Sequence, residues 1–138
     1  MILLDTSGLL AAMFSDQNRH EECARALLAA EPPRIISPFV LSELDYLIVK
    51  YAGVHAEMRL FADIYAGAYE LASFERQDLH DAATIVKRYE SLKVGLADAS
   101  TVILAERHRC RDVLTLDERH FRAMKPSRRS FRILPADA

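Results

Sequence analysis

Residues 1–10 read Met1-Ile2-Leu3-Leu4-Asp5-Thr6-Ser7-Gly8-Leu9-Leu10. Ile2, Leu3 and Leu4 form an apolar run without alternation, the pattern of a strand covered on both faces in a parallel sheet. Residues 6–14 then read as a short helix, so Asp5 falls at the carboxyl end of a buried strand. Apolar runs at 34–36, 69–72, 112–116 and 131–134 predict further strands. Between them lie helical stretches at 18–30, 38–51, 55–66, 77–92, 96–109 and 118–124. Pro32-Pro33 stops the first of these, and Ser37-Pro38 opens the next as a cap followed by a first-turn proline. Strand and helix alternate throughout, which predicts a parallel α/β sandwich whose ligands gather at the carboxyl ends of the strands.

The bulk composition agrees. With 138 residues, 51% hydrophobic and 28% charged, the chain reads as one globular domain, 1–138, large enough to bury a core and far from a disordered composition. Cys23 and Cys110 have no CxxC spacing, so neither a zinc site nor a disulfide framework is expected. The N-terminal stretch lacks a basic head and a cleavage site, and no segment reaches the roughly 20 apolar residues of a membrane span. A soluble protein of a reducing cytoplasm is expected. Charge is uneven: residues 106–138 hold nine Lys/Arg against five Asp/Glu, the remainder nine against fifteen. A basic C-terminal quarter beside clustered carboxylates suits a polyanionic partner, although a solvated surface has the same composition.

Four acids stand where an apolar run meets a helix start or where a helix turns inward. Asp5 follows the first strand, and the alternative role there is a helix cap. Glu43 has Phe39, Val40, Tyr46 and Leu47 three and four positions away, which predicts a buried stripe where a carboxylate must be paired or bind a cation. An internal ion pair is its alternative. Asp98 lies in the first turn of the 96–109 helix, where the helix dipole alone favours an anion. Asp117 closes the fourth strand and opens the helix that follows it, again a cap position. In a doubly wound sheet all four project toward one edge, where several carboxylates repel strongly unless a divalent ion sits among them.

A donor set of Asp and Glu, without Cys or a His pair, selects Mg²⁺ or Mn²⁺ over Zn²⁺. The chemistry such a site implies is phosphoryl transfer, and with no Ser, Cys or His triad visible, attack by water activated at the metal is the simplest mechanism. Ser100 and Thr101 are expected to hydrogen-bond the carboxylates or a bound water. Of five scattered histidines, surface placement is expected, His120 excepted: three residues past Asp117, it is placed to touch a phosphate. No Gly-rich phosphate loop is present. The helices between 38 and 66 carry Tyr46, Tyr51, Phe61 and Tyr65 with Leu47, Ile48 and Leu60, apolar over more than one face, which predicts burial of part of that surface against a second chain.

Four stretches, ILLDTSGLL at 2–10, Ser42-Glu43, GLADAS at 95–100 and TLDERHF at 115–121, together resemble PIN-domain ribonucleases, and most of all the bacterial VapC-type toxins of toxin–antitoxin pairs. The resemblance covers essentially the whole chain. It implies a three-layer α/β/α sandwich with a five-stranded parallel sheet and a Mg²⁺- or Mn²⁺-dependent endoribonuclease. Asp5 and Asp98 match the core metal ligands, Glu43 the helix carboxylate that completes the site, and Asp117 the fourth, more variable acid. Thr6 or Ser7 matches the hydroxyl beside the first Asp. The family also implies a cognate VapB-type antitoxin that neutralises the toxin, a transfer or ribosomal RNA substrate and a toxin homodimer. Arg119, Arg122, Lys125, Arg128 and Arg129, close in sequence to Asp117, join His120 as candidates for holding RNA phosphates. Two other classes remain open: a non-catalytic PIN-like module that binds RNA or protein, and a Mg²⁺-dependent phosphatase. The phosphatase would need a DxDxT nucleophile motif, whose second Asp is missing after Asp5.

Overall fold

A computed structural model describes the whole chain, Met1–Ala138. In order it contains β1 (Ile2–Leu4), α1 (Thr6–Met13), α2 (His20–Ala29), β2 (Arg34–Ile36), α3 (Pro38–Ala52), α4 (Val54–Tyr65) and β3 (Glu70–Leu71), then α5 (Arg76–Arg88), α6 (Leu96–His108), β4 (Asp112–Leu114), α7 (Glu118–Ala123) and β5 (Arg132–Leu134). All pairings are parallel and the strand order is β3-β2-β1-β4-β5. The chain therefore winds outward from β1 through β2 and β3, then returns to the other side of β1 as β4 and β5. The crevice at that reversal lies above the carboxyl ends of β1 and β4, the usual ligand edge of such sheets.

Both faces are covered, as the unalternated strands require. Ile2 and Leu4 pack with Leu44, Ile48 and Leu60 on one side, while Leu3 packs with Ile85, Val102 and Phe121 on the other. Helix α6 lies at the heart of the second layer, with Ala97 and all of Ala99–Ala105 buried. Its small residues let it approach the sheet closely. No helix is long and apolar enough to cross a membrane.

Three departures from the sequence-based expectation bear on the site. The helix expected over 77–92 stops at Arg88: Tyr89 leaves helical geometry, residues 90–92 make one 3-10 turn and Lys93 is left-handed at φ 56°. A capping box of Glu75 and Asp78 starts the helix one residue early, at Arg76. Strand β4 ends at Leu114 rather than 116: Thr115 N–H still bonds the Leu134 carbonyl at 3.0 Å, and Leu116 N–H turns to the Ser7 hydroxyl at the start of α1. The two-sided apolar character of α3 and α4 is real: Leu44, Ile48 and Leu60 face the core, whereas Tyr46, Val49, Met58, Phe61 and Tyr65 are exposed.

Candidate active site

Asp5 occupies the cap position of α1, yet its side chain caps nothing. It is 5% exposed, and its Oδ2 accepts hydrogen bonds from the Ser7 hydroxyl at 3.0 Å and the Thr115 hydroxyl at 2.7 Å. Main-chain amides orient both hydroxyls: Leu116 N–H donates to Ser7 Oγ at 3.0 Å and Asp117 N–H to Thr115 Oγ1 at 2.9 Å. The two hydroxyl oxygens also lie 3.2 Å apart, so Ser7, Thr115 and the Asp5 carboxylate form one small network. Burial pushes the Asp5 carboxyl up to about 6, and the nearby Asp98 charge adds to the rise against the two hydroxyl bonds. Helix α1 can approach this closely because residue 8 is glycine: a Cβ there would lie 2.4 Å from the Leu114 carbonyl oxygen. Gly8 thus fixes the distance between the first acid and the β4 edge.

Asp98 is the third residue of α6, behind the cap position held by Gly95. Its side chain is 18% exposed, and Oδ2 lies 2.9 Å from His120 Nδ1. Burial raises the Asp98 carboxyl, the His120 ring opposes the rise, and the Asp117 and Glu43 charges add to it. Asp117 does cap: Oδ1 accepts from the His120 N–H at 3.1 Å, so the structural alternative holds for this acid. Its other oxygen nonetheless lies 3.0 Å from His120 Nδ1.

His120 joins these two acids, and its tautomer follows from its third contact. Nε2 lies 2.8 Å from the Leu92 carbonyl oxygen, which only accepts, so Nε2 carries the hydrogen. Nδ1 then either donates to both carboxylates as imidazolium or, in the neutral ring, presents a lone pair beside them. Ligand atoms of Asp98, Asp117 and His120 all lie within 4.8 Å of one another. The premature end of α5 matters here, since the 3-10 turn supplies the Leu92 carbonyl that holds the ring.

Glu43 corrects an expectation. The buried stripe of α3 is Val40, Leu44 and Ile48, which leaves Glu43 on the exposed side of the helix. Its link to the cluster is the Thr6 hydroxyl, which donates to Oε1 at 2.9 Å. The two hydroxyls after Asp5 therefore divide their work: Ser7 serves Asp5 and Thr6 serves Glu43. No arginine or lysine pairs with any of the four acids.

Ser100 and Thr101 do not reach the carboxylates. Both donate to the Ala97 carbonyl, at 2.6 and 3.2 Å, and buried Ser100 meets the Ser37 hydroxyl at 2.6 Å. Since Ser37 also caps α3 through Phe39 N–H, this chain of bonds ties α6, which carries Asp98, to the start of the helix that carries Glu43. Thr115 is the residue that sequence reasoning missed. Its signal was a hydroxyl at the end of an apolar strand, two positions before Asp117.

The basic candidates separate. Arg122 is engaged by Asp137 at 2.7 Å and Glu118 at 3.0 Å, so it closes the C-terminus rather than standing free. Arg119, in the first turn of α7, and Lys125 are exposed and unpaired. Arg128 and Arg129 lie against the C-terminal end of α6, at the amino edge of the sheet, with roughly 15 Å of helix separating that end, His108, from Asp98. Closeness in sequence to Asp117 did not translate into closeness in space.

Residues 2–125 match the family model described as PIN domain. This chain belongs to the PIN-domain family. It is 38% identical over 125 residues to Ribonuclease VapC26 of Mycobacterium tuberculosis (strain ATCC 25618 / H37Rv), covering 91% of this chain and 93% of that protein, which places this PIN-domain chain with the VapC-type members. Among solved structures, Mycobacterium tuberculosis VapC20, described as a sarcin-ricin loop cleaving toxin, superposes with a TM-score of 0.79 at 18% identity, over 87% of this chain and 92% of that one. A toxin–antitoxin complex from Klebsiella pneumoniae gives 0.70 at 23% identity, over 90% and 92%. At those identities the likeness is one of fold. It shows that the parallel three-layer PIN architecture is the one this sequence adopts.

Proposed function

We propose that residues 1–138 form one PIN domain acting as a divalent-cation-dependent endoribonuclease, the toxin of a toxin–antitoxin pair. The observation that carries this reading is a set of acids gathered at the reversal of the sheet: Asp98 and Asp117 share His120 Nδ1, the Glu43 charge acts on Asp98 and the Asp98 charge on Asp5, with no arginine or lysine to neutralise them. Carboxylates converging in a half-buried crevice raise one another's proton affinity, and a cation relieves that cost. The donor set fits one. Asp5 spends only Oδ2 on hydroxyls, Asp98 and Asp117 face each other across His120 Nδ1, and Glu43 stands exposed at the rim.

Oxygen-rich ligands favour Mg²⁺ or Mn²⁺, and Nδ1 adds a nitrogen within reach that sequence reasoning had not counted. Bound there, the cation supplies neutralisation of phosphodiester charge and a water of lowered pKa. The chain's own residues do the positioning: Ser7 and Thr115 fix the Asp5 carboxylate, the Leu92 carbonyl fixes the His120 ring, and that ring orients Asp98 and Asp117. None of the four acids lines the cavities of about 460, 510 and 330 Å³.

The ribonuclease name of the 38%-identical relative and the toxin and toxin–antitoxin descriptions of the two structural neighbours support an RNA substrate, of the transfer or ribosomal class, and an antitoxin partner. The exposed Tyr46, Val49, Met58, Phe61 and Tyr65 of α3 and α4 are the surface for a second copy or the antitoxin. The deciding experiment incubates the purified protein with total RNA in Mg²⁺ or in a chelator. Cleavage that needs the metal and vanishes in Asp98→Asn is expected; equal cleavage by wild type and variant would overturn the reading.

A further inference from the structure

Helix α6 connects two edges of opposite charge. Its N-terminal end carries Asp98, and its C-terminal end opens onto a cavity of about 510 Å³ lined by Arg109, Arg111 and Arg129, with Glu106, Pro126 and Ser127. These cations are not used by the fold. Arg109 and Arg129 make no ion pair, and Arg111 reaches only the Ser130 carbonyl, at 3.5 Å. Exposed Lys125 and Arg128 flank the groove, equally unpaired. The one acid on its wall, Glu106, is bound to the Ser127 N–H through Oε1 at 3.0 Å. Elsewhere Arg107, Arg122 and Arg132 each hold an aspartate at 2.9, 2.7 and 3.1 Å.

Three guanidinium groups against the single Glu106 carboxylate leave the groove net positive, and an anion bound among them offsets their mutual repulsion. The backbone maintains the arrangement against its own preference: Arg109, Ser127 and Arg128 all take left-handed conformations, φ 52°, 48° and 62°. The chemistry of the groove favours phosphate over a protein partner. Planar guanidinium groups match phosphate oxygens two at a time, while the groove offers no large exposed apolar side chain to anchor a protein.

An RNA-cleaving site made of four acids also needs such a surface. The carboxyl edge repels a polyanion, and one or two cations bound there offset only part of that repulsion, so affinity for the rest of the strand must come from positive charge elsewhere. We propose that the Arg109–Arg111–Arg129 groove at the amino edge is a second RNA-contacting surface, holding the phosphate backbone of a structured RNA at the far end of α6, roughly 16 Å of helix from Asp98. The assignment of RNA rests on the nuclease reading, but the binding itself does not require cleavage.

The test separates the two. Filter binding of bulk transfer RNA is measured in chelator, where no cutting occurs, over a range of salt, for wild type and for the double variant Arg109→Glu/Arg129→Glu. A second double variant, Arg76→Glu/Arg88→Glu, changes net charge equally at exposed, unpaired positions on α5. The groove variant is expected to bind about tenfold more weakly and to lower the slope of log affinity against log salt by about two, with the α5 variant close to wild type. It is also expected to cut a ten-nucleotide RNA in Mg²⁺ within about twofold of the wild-type rate. Equal affinity and slope in wild type and groove variant, or an equal loss in both double variants, would overturn the proposal. If the groove variant alone loses binding while wild type cuts no RNA in any metal, the second surface stands and the nuclease reading falls.

Discussion

Asp5 and Asp137 each accept hydrogen bonds from two residues, yet their proton affinities move in opposite directions. Asp137 lies at the surface beside Arg122 and accepts the Ile133 N–H, and the Arg122 guanidinium with that amide holds its carboxyl down at about 2. Asp5 is buried among neutral hydroxyls and other acids, and rises to about 6. The first arrangement is what a carboxylate looks like when it serves the fold, paired and charged at no cost. The second makes folding harder at neutral pH, which a sequence retains only where the charge has other work. Linking the C-terminus to α7 and assembling a cation site at the sheet edge are thus told apart by what surrounds each carboxylate.

The sharpest way to break this contrast is to remove each acid in turn. Asp5→Asn and Asp98→Asn are expected to lower RNA cleavage by roughly several hundredfold or more, since each change deletes a ligand of the group that stabilises the transition state. Asp137→Asn should leave the rate within a small factor of wild type. Comparable losses in a single-turnover assay of all three would show that the carboxyl edge is not special.

Stability should respond with the opposite sign. Because the folded Asp5 carboxyl titrates near 6 against 3.8 in the unfolded chain, its contribution is intact below pH 4 and lost as pH rises through 6, at a cost of up to ~3 kcal/mol. Metal-free wild type should therefore lose urea resistance between pH 4 and pH 7 through this group, and Asp5→Asn should flatten that loss and be the more stable protein at pH 7. A variant less stable than wild type at pH 7 would contradict the cost assigned to the buried charge.

Gly8→Ala tests the geometry rather than the charge. The added methyl meets the Leu114 carbonyl at 2.4 Å, so α1 must move off β4, with an expected loss of about 1–3 kcal/mol in chemical denaturation. Cleavage should fall with it, because Ser7 rides on the same turn; full activity in a folded variant would mean that the Ser7–Asp5–Thr115 contact is dispensable. The smallest effect belongs to the surface clamp. Asp137 has a depressed carboxyl, so its stabilisation is present above pH 4 and lost as pH falls toward 2. Arg122→Ala should lower the Tm slightly at pH 7 and by less at pH 2, where the folded Asp137 carboxyl is about half protonated, and an equal shift at both would show that the ion pair contributes nothing.

What could be read from the sequence follows the physics of each residue. The strands at 2–4 and 34–36 were legible because burial on both faces writes an unbroken apolar run, and Asp5, Asp98 and Asp117 because strand ends and helix starts sit at one edge of any such sheet. Glu43 was misjudged as buried: its apolar neighbours Phe39, Tyr46 and Leu47 belong to a second face of α3 that this structure leaves partly or wholly exposed. The roles of Thr115 and His120 depend on a strand ending two residues early and a helix breaking at Tyr89, both settled by tertiary contacts rather than local pattern. Arg128 and Arg129 lie 11 and 12 residues from Asp117, and the intervening α7 and β4–β5 connection carry them to the opposite edge.

The central claim is that acids distant in sequence form one cation site. Mn²⁺ binding followed by electron paramagnetic resonance at pH 7 tests it most directly, on wild type, Asp5→Asn, Asp98→Asn and, as a control, Asp137→Asn. Millimolar or tighter binding by wild type and Asp137→Asn, and its loss in both carboxyl-edge variants, is the predicted result. Binding that persists unchanged without Asp5 and Asp98, or that wild type never shows, would contradict the account.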